Sequence, residues 1–179
     1  PEALLNFLVR LGWSNKDQEI FSMQEMLELF DPKNINKSAS AYNAEKLLWL
    51  NSEYIKTVSN DRLVEELKFF DLDLTNYSKK DEILNLAKQR ANTLLELKKS
   101  ILDIKDEPTL YEEAGVKKFI KDDTSEVLKE YLQLLEKNLN SFDSVEKLEA
   151  ITKPFKKKKS LKFPQIFQPI RLALTGTTQ

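Results

Sequence analysis

The chain has 179 residues, of which 41% are hydrophobic and 32% charged, and a formal net charge of -1. With no Cys and no His it has no disulfide, no thiolate nucleophile, no zinc site built from those ligands, and no catalytic triad that needs an imidazole. The three glycines, Gly12, Gly115 and Gly176, exclude a glycine-rich phosphate loop and a dinucleotide fingerprint. Helical periodicity dominates the sequence, with no convincing alternating strand pattern, so the expected fold class is all-α. About ten short helices are predicted, over roughly 2–11, 23–30, 44–57, 60–70, 79–92, 94–103, 110–120, 124–139, 144–152 and 165–174. Helix starts are marked by Ser22 with Glu25, Ser78 with Asp81, Thr93 with Glu96, Asp123 with Glu126, Asp143 with Glu146, and Asn43 as a single cap. Stops are marked by Gly12, Pro32, Pro154 and Gly176. Pro164 suits the first turn of the last helix, whereas Pro169 would kink its interior.

Three apolar stripes define the expected core. They are Leu4, Leu5, Leu8 and Leu11; then Leu47, Leu48, Leu50, Tyr54 and Ile55 around Trp49; then Leu128, Tyr131, Leu132, Leu135 and Leu139. Breaks near 57–59 and 106–108 divide the chain into expected regions 1–57, 58–107 and 108–179. No apolar run approaches the roughly 20 residues of a membrane helix. The opening Pro-Glu-Ala-Leu lacks an initiator methionine and a signal pattern, so a piece of a longer protein is expected. The lack of Cys fits a reducing cytoplasm.

Charge is uneven. Residues 151–179 hold Lys153, Lys156, Lys157, Lys158, Lys159, Lys162 and Arg171 and no acid, for +7, which leaves -8 on the rest. A basic end on an acidic body suits a polyanion, and equally a solvated linker. The adjacent carboxylates Glu112/Glu113 and Asp122/Asp123 point in different directions on a helix and read as surface charge, and no EF-hand loop is present. In a chain with far more Lys than Arg, the guanidinium fork of Arg90 or Arg171 suits a base edge. Arg90 near a helix end would also complement the macrodipole.

Several segments resemble bacterial-type glutamyl-tRNA synthetases. They are Pro1–Ser14 (PEALLNFLVRLGWS), Gln18–Ser22, Glu28–Asp31, Ile35–Ser38, Lys46–Lys56 (KLLWLNSEYIK), Gln89–Leu97 (QRANTLLEL) and Gln168–Gly176 (QPIRLALTG). The resemblance is loose over 106–162. It implies a fragment that begins just after the catalytic domain, with 1–57 in the stem-contact region and 58–179 in the anticodon-binding helices, and that stops before the family's C-terminal continuation. It implies that Arg90 reads the last anticodon base and that Gln168 and Arg171 approach the anticodon loop. The run Lys156, Lys157, Lys158, Lys159, Ser160 loosely echoes the lysine-serine loop of class I synthetases. It lies in the wrong place for that loop and reads as phosphate-facing lysines or a solvated loop. The expected partner is tRNA, without membrane or DNA, for a cytoplasmic monomer. No catalytic, cofactor or metal site is expected in these residues, ATP and Mg belonging to the absent catalytic domain. The rivals are a paralogous synthetase that charges a different tRNA and a helical protein-interaction module.

Overall fold

The computed structural model describes residues 1–36, 41–139 and 144–178. Ten α-helices and one short 3-10 turn are found among them, with a single isolated bridge between Asn15 and Gln18 in place of any sheet. The chain forms two compact units, Pro1–Leu102 and Asp103–Gln179.

The first unit contains α1 (Glu2–Gly12), α2 (Met23–Leu29), the 3-10 turn (Pro32–Asn34), α3 (Ala44–Thr57), α4 (Asn60–Lys68), α5 (Lys80–Ala87) and most of α6 (Leu94–Lys105). Its main core gathers Ile55 of α3 with Leu63 and Leu67 of α4, Ile83, Leu84 and Ala87 of α5, and Leu97 and Ile101 of α6. A smaller cluster joins Trp13, Phe21 and Met26. The expected leucine stripe of α1 is not what the unit buries. Leu4, Leu5 and Leu8 are exposed, while Ala3, Phe7 and the fully enclosed Asn6 face inward. Asn6 explains the rotation. Its Nδ2 donates to the Glu19 carbonyl at 2.9 Å, and its Oδ1 accepts from Phe21 N–H at 2.8 Å and from the Tyr54 hydroxyl at 2.9 Å. One buried amide thereby ties α1 to segment 19–21 and to α3, every polar group satisfied. Leu48 and Trp49 of the second stripe are likewise exposed, while Leu50 and Ile55 are buried.

The second unit contains the end of α6 with α7 (Glu113–Phe119), α8 (Thr124–Glu136), α9 (Val145–Lys158) and α10 (Phe163–Thr175). Tyr131, Phe155 and Ile166 form its core. Of the third stripe Tyr131 is buried, but Leu132 and Leu139 are exposed. Helix α9 passes through the expected stop at Pro154 and ends at Lys158. The pyrrolidine ring is exposed, and burial on either side of it holds the helix: Thr152 bonds the Tyr131 hydroxyl at 2.7 Å, and Phe155 packs on the Tyr131 ring at 5.3 Å. This packing outweighs one missing backbone hydrogen bond. Pro164 does occupy the first turn of α10, and Pro169 lies buried in its interior.

The caps divide similarly. Ser22 with Glu25 forms the reciprocal box, Asn43 accepts from Lys46 N–H at 3.0 Å, and Thr93 accepts from Glu96 N–H at 3.1 Å. The expected boxes at Ser78 and Asp123 do not form. The Asp81 carboxylate accepts instead from the Asn60 amide at 2.9 Å, and the Thr124 hydroxyl takes the Lys121 N–H at 2.8 Å. Asp143 lies outside the described residues; Ser144 caps α9. Gly176 ends α10 in the left-handed region at φ 74°, and a Cβ there would meet the Leu110 carbonyl oxygen at 2.4 Å. Only glycine fits both demands.

Candidate nucleic-acid interface

The arginines fall into two kinds. Arg10 donates to Glu19 at 2.8 Å, and that carboxylate also holds Lys46 at 2.7 Å. The Lys46 ammonium, then Arg10, keep the Glu19 carboxyl below its ordinary range. Arg62 donates to Glu2 at 2.7 Å and to Glu66 at 3.4 Å. Both arginines therefore hold the first unit together. Beside Arg62, a cavity of about 330 Å³ opens among Glu2, Asn51, Tyr54 and Glu66. By contrast, the guanidinium groups of Arg90 and Arg171 make no ion pair or hydrogen bond among the described residues.

Arg90 was expected at the end of a helix spanning 79–92. Helix α5 stops at Ala87, with Lys88 as C-cap, and residues 88–90 form a turn. The Arg90 N–H reaches back three residues to the Ala87 carbonyl at 3.3 Å, the tightened geometry of a helix end. Arg90 is exposed and the next residue, Ala91, is buried at 1% exposure. Its side chain therefore starts from an anchored backbone and extends into solvent. It lies beyond the last α-helical turn, where the dipole effect fades.

In the second unit, Gln168 and Arg171 stand three residues apart on α10, one helical turn. Gln168 is half-buried, and its Oε1 is enclosed without a hydrogen-bond partner. The expected loop of lysines is instead the last turn of α9. Its four members differ. Lys156 sits over the Phe163 ring at 4.3 Å, and Lys159 pairs with Glu130 at 2.5 Å. Lys157 and Lys158 are exposed and unpaired among the described residues. The aromatic pair Phe163 and Phe167, stacked at 5.7 Å with 12° between planes, was not expected from the sequence. Its signal was present as two phenylalanines at i,i+4 beside the lysine run, but phenylalanines at that spacing read equally well as core.

The C-terminal residues are latched to the start of α7. Glu112 N–H donates to the Gly176 carbonyl at 2.8 Å, and the Glu112 Oε2 accepts from Thr178 N–H at 2.9 Å and from the Thr178 hydroxyl at 2.6 Å. No group of acidic side chains among the described residues could hold a metal ion, and no helix of theirs is long and apolar enough to cross a membrane.

Residues 42–179 match the family of the anticodon binding domain. The chain belongs to that family. Residues 1–49 match a second family, the catalytic domain of class I tRNA synthetases (E and Q), so α3 carries the junction of the two. Relatives that match over the whole chain include glutamate--tRNA ligases. Glutamate--tRNA ligase 1 of Aliarcobacter butzleri is 78% identical over 179 residues, which is 100% of this chain and 38% of that protein. Glutamate--tRNA ligase 2 of Campylobacter fetus subsp. fetus is 51% identical over 99% of this chain and 38% of its own length. The crystal structure of a glutamate tRNA ligase from Elizabethkingia meningosepticum, in complex with its amino acid, superposes with a TM-score of 0.80 at 27% identity, covering 100% of this chain and 36% of that one. The chain spans 38% of the length of these curated relatives.

Proposed function

We propose that the chain is the tRNA-holding portion of a glutamate--tRNA ligase. Arg90 reads the third anticodon base, and Gln168 and Arg171 approach the anticodon loop. The lysines 156–159 face phosphate, Lys157 and Lys158 most directly. Residues 1–57 contact the stem and 58–179 the anticodon arm. ATP and Mg act in the remainder of the ligase, in the cytoplasm, and this portion contributes position, not chemistry. The observation that carries the reading is the unpaired guanidinium of Arg90, exposed on a turn whose next residue is buried, in a chain where Arg10 and Arg62 are consumed by internal ion pairs. Unstacked loop bases offer the Watson–Crick edges that such a fork grips.

The test is Arg90→Ala in the full-length ligase, with kcat/KM measured on two tRNA transcripts that differ only at the third anticodon position. A bidentate contact worth about 1–3 kcal/mol corresponds to a loss of about five- to 150-fold in discrimination. A residue that only complements a helix dipole would instead cost about 0.3–1 kcal/mol of stability and leave the ratio unchanged. The relatives are numbered both 1 and 2, which favours one second reading, a paralogue that charges a different tRNA. Charging of purified tRNA species by the same ligase separates the two.

A further inference from the structure

The turn that carries Arg90 is held from outside as well as from within. Asn51, on α3, donates its Nδ2–H to the carbonyl of Asn92 at 2.5 Å. The Asn92 backbone N–H and its Nδ2 donate to the Glu96 carboxylate at 2.8 and 3.2 Å. Glu96 N–H in turn is capped by the Thr93 hydroxyl at 3.1 Å. Asn92 therefore has its carbonyl and its N–H both engaged, and Ala91 before it is buried. The Glu96 and Thr93 bonds are local, since they belong to the start of α6. Asn51 supplies a bond across 41 residues of sequence.

Its position on α3 makes this bond directional. One turn further along, Ile55 packs into the same core as Ala87, Ala91 and Leu97, which fixes α3 against the junction of α5 and α6. On the same helix the Tyr54 hydroxyl bonds Asn6 at 2.9 Å and the Phe21 carbonyl at 2.5 Å. Asn51 thus projects from a rod held at several points, and the carbonyl it grips lies two residues beyond Arg90. Without that donor the exposed Asn92 carbonyl can turn to water, and the peptide that orients the Arg90 turn loses the one long-range hydrogen bond that Asn92 makes among the described residues. A guanidinium that reads a base by two parallel hydrogen bonds tolerates little misplacement.

We propose that Asn51 is a positioning residue for base selection, which sets the direction of the Arg90 side chain by holding the Asn92 carbonyl. The proposal rests on the reading of Arg90 given above. Asn51 touches no base itself, so its effect must pass through Arg90.

The experiment compares wild type, Arg90→Ala, Asn51→Asp, Asn51→Ala and the double variant Asn51→Ala/Arg90→Ala, all in the full-length ligase. Asn51→Asp keeps the shape and removes the donor; Asn51→Ala removes the donor without adding charge. The measured quantity is the ratio of kcat/KM for the two transcripts that differ at the third anticodon position. Loss of one hydrogen bond of ordinary net strength lowers that ratio about three- to tenfold in each Asn51 variant. The double variant discriminates no worse than Arg90→Ala alone, because both changes act on one contact. A general loss of structure would lower both transcripts together and leave the ratio intact. The proposal is overturned if both Asn51 variants keep the wild-type ratio while Arg90→Ala loses it, or if the double variant falls below Arg90→Ala. If Arg90→Ala itself keeps the ratio, the reading of Arg90 fails first and takes the proposal with it, an outcome distinct from the other two.

Discussion

A charged side chain in this protein does one of two things, and its partner decides which. Glu112 illustrates the structural kind. Sequence spacing marks it as one of two adjacent surface acids, yet it receives two hydrogen bonds from Thr178, 66 residues away. The Thr178 hydroxyl and then its N–H hold the Glu112 carboxyl below its ordinary range. A lowered folded value means that the latch contributes fully above the ordinary glutamate pKa and is lost as pH falls through the lowered one. Glu112→Gln removes the charged acceptor. The variant is therefore expected to melt below the parent at neutral pH, and the two melting curves should converge as the pH drops below about 4. Melting temperatures recorded from pH 7 to pH 3 check this; a constant gap over that range would show that the charge of Glu112 plays no part in the latch.

At the scale of elements, the sequence makes the existence of each helix legible, and partners settle its face and end. Leucines at 4, 5 and 8 satisfy helical spacing, but Asn6 decides which side turns inward, through bonds to Glu19, Phe21 and Tyr54 that lie up to 48 residues apart. A buried amide inside an apolar helix carries no local signature of its partners. Lys157 and Lys158 show the same limit from the opposite side. Proline normally closes a helix, so the run after Pro154 reads as loop, whereas Tyr131, from another helix, holds Thr152 and Phe155 and carries α9 onward. Pro154 then costs the helix one backbone hydrogen bond. Pro154→Ala restores a backbone donor on an exposed position and should stabilise the second unit by about 1–2 kcal/mol, less than the roughly 3 kcal/mol interior penalty because proline also restricts the unfolded chain. Urea denaturation of the variant measures the gain; a loss of stability would mean that the restriction proline places on the unfolded chain outweighs the missing donor. Of the proposed site, Arg90, Gln168 and Arg171 are named by motif resemblance alone, while the bond from Asn51 to the Asn92 carbonyl is not legible, because a single asparagine within KLLWLNSEYIK reveals nothing of the carbonyl it grips.

Over the whole molecule, the net charge of -1 conceals a basic stretch of +7 at 151–179, but formal charge overstates what an RNA would meet. Lys153 pairs with Glu149 at 3.2 Å, Lys159 pairs with Glu130, and Lys156 rests on the Phe163 ring. Lys157 and Lys158 remain exposed and unpaired among the described residues of the run. Four lysines at phosphates would give a slope of log K against log salt of about -3 to -3.5, whereas two give about -1.5. The paired Lys157→Gln/Lys158→Gln variant should therefore flatten the salt dependence of tRNA binding by about 1.5 and weaken all tRNAs to a similar degree, since phosphate contacts carry no base information. Lys156→Gln/Lys159→Gln should flatten the slope by less than that, because both lysines are engaged internally, and should also lower stability through the lost ring contact and ion pair. Binding titrations of the full-length ligase across a series of salt concentrations distinguish the two pairs. Equal flattening by both would show that the run acts as diffuse charge whatever its internal partners, and no flattening by either would make it a solvated helix end with no phosphate in reach.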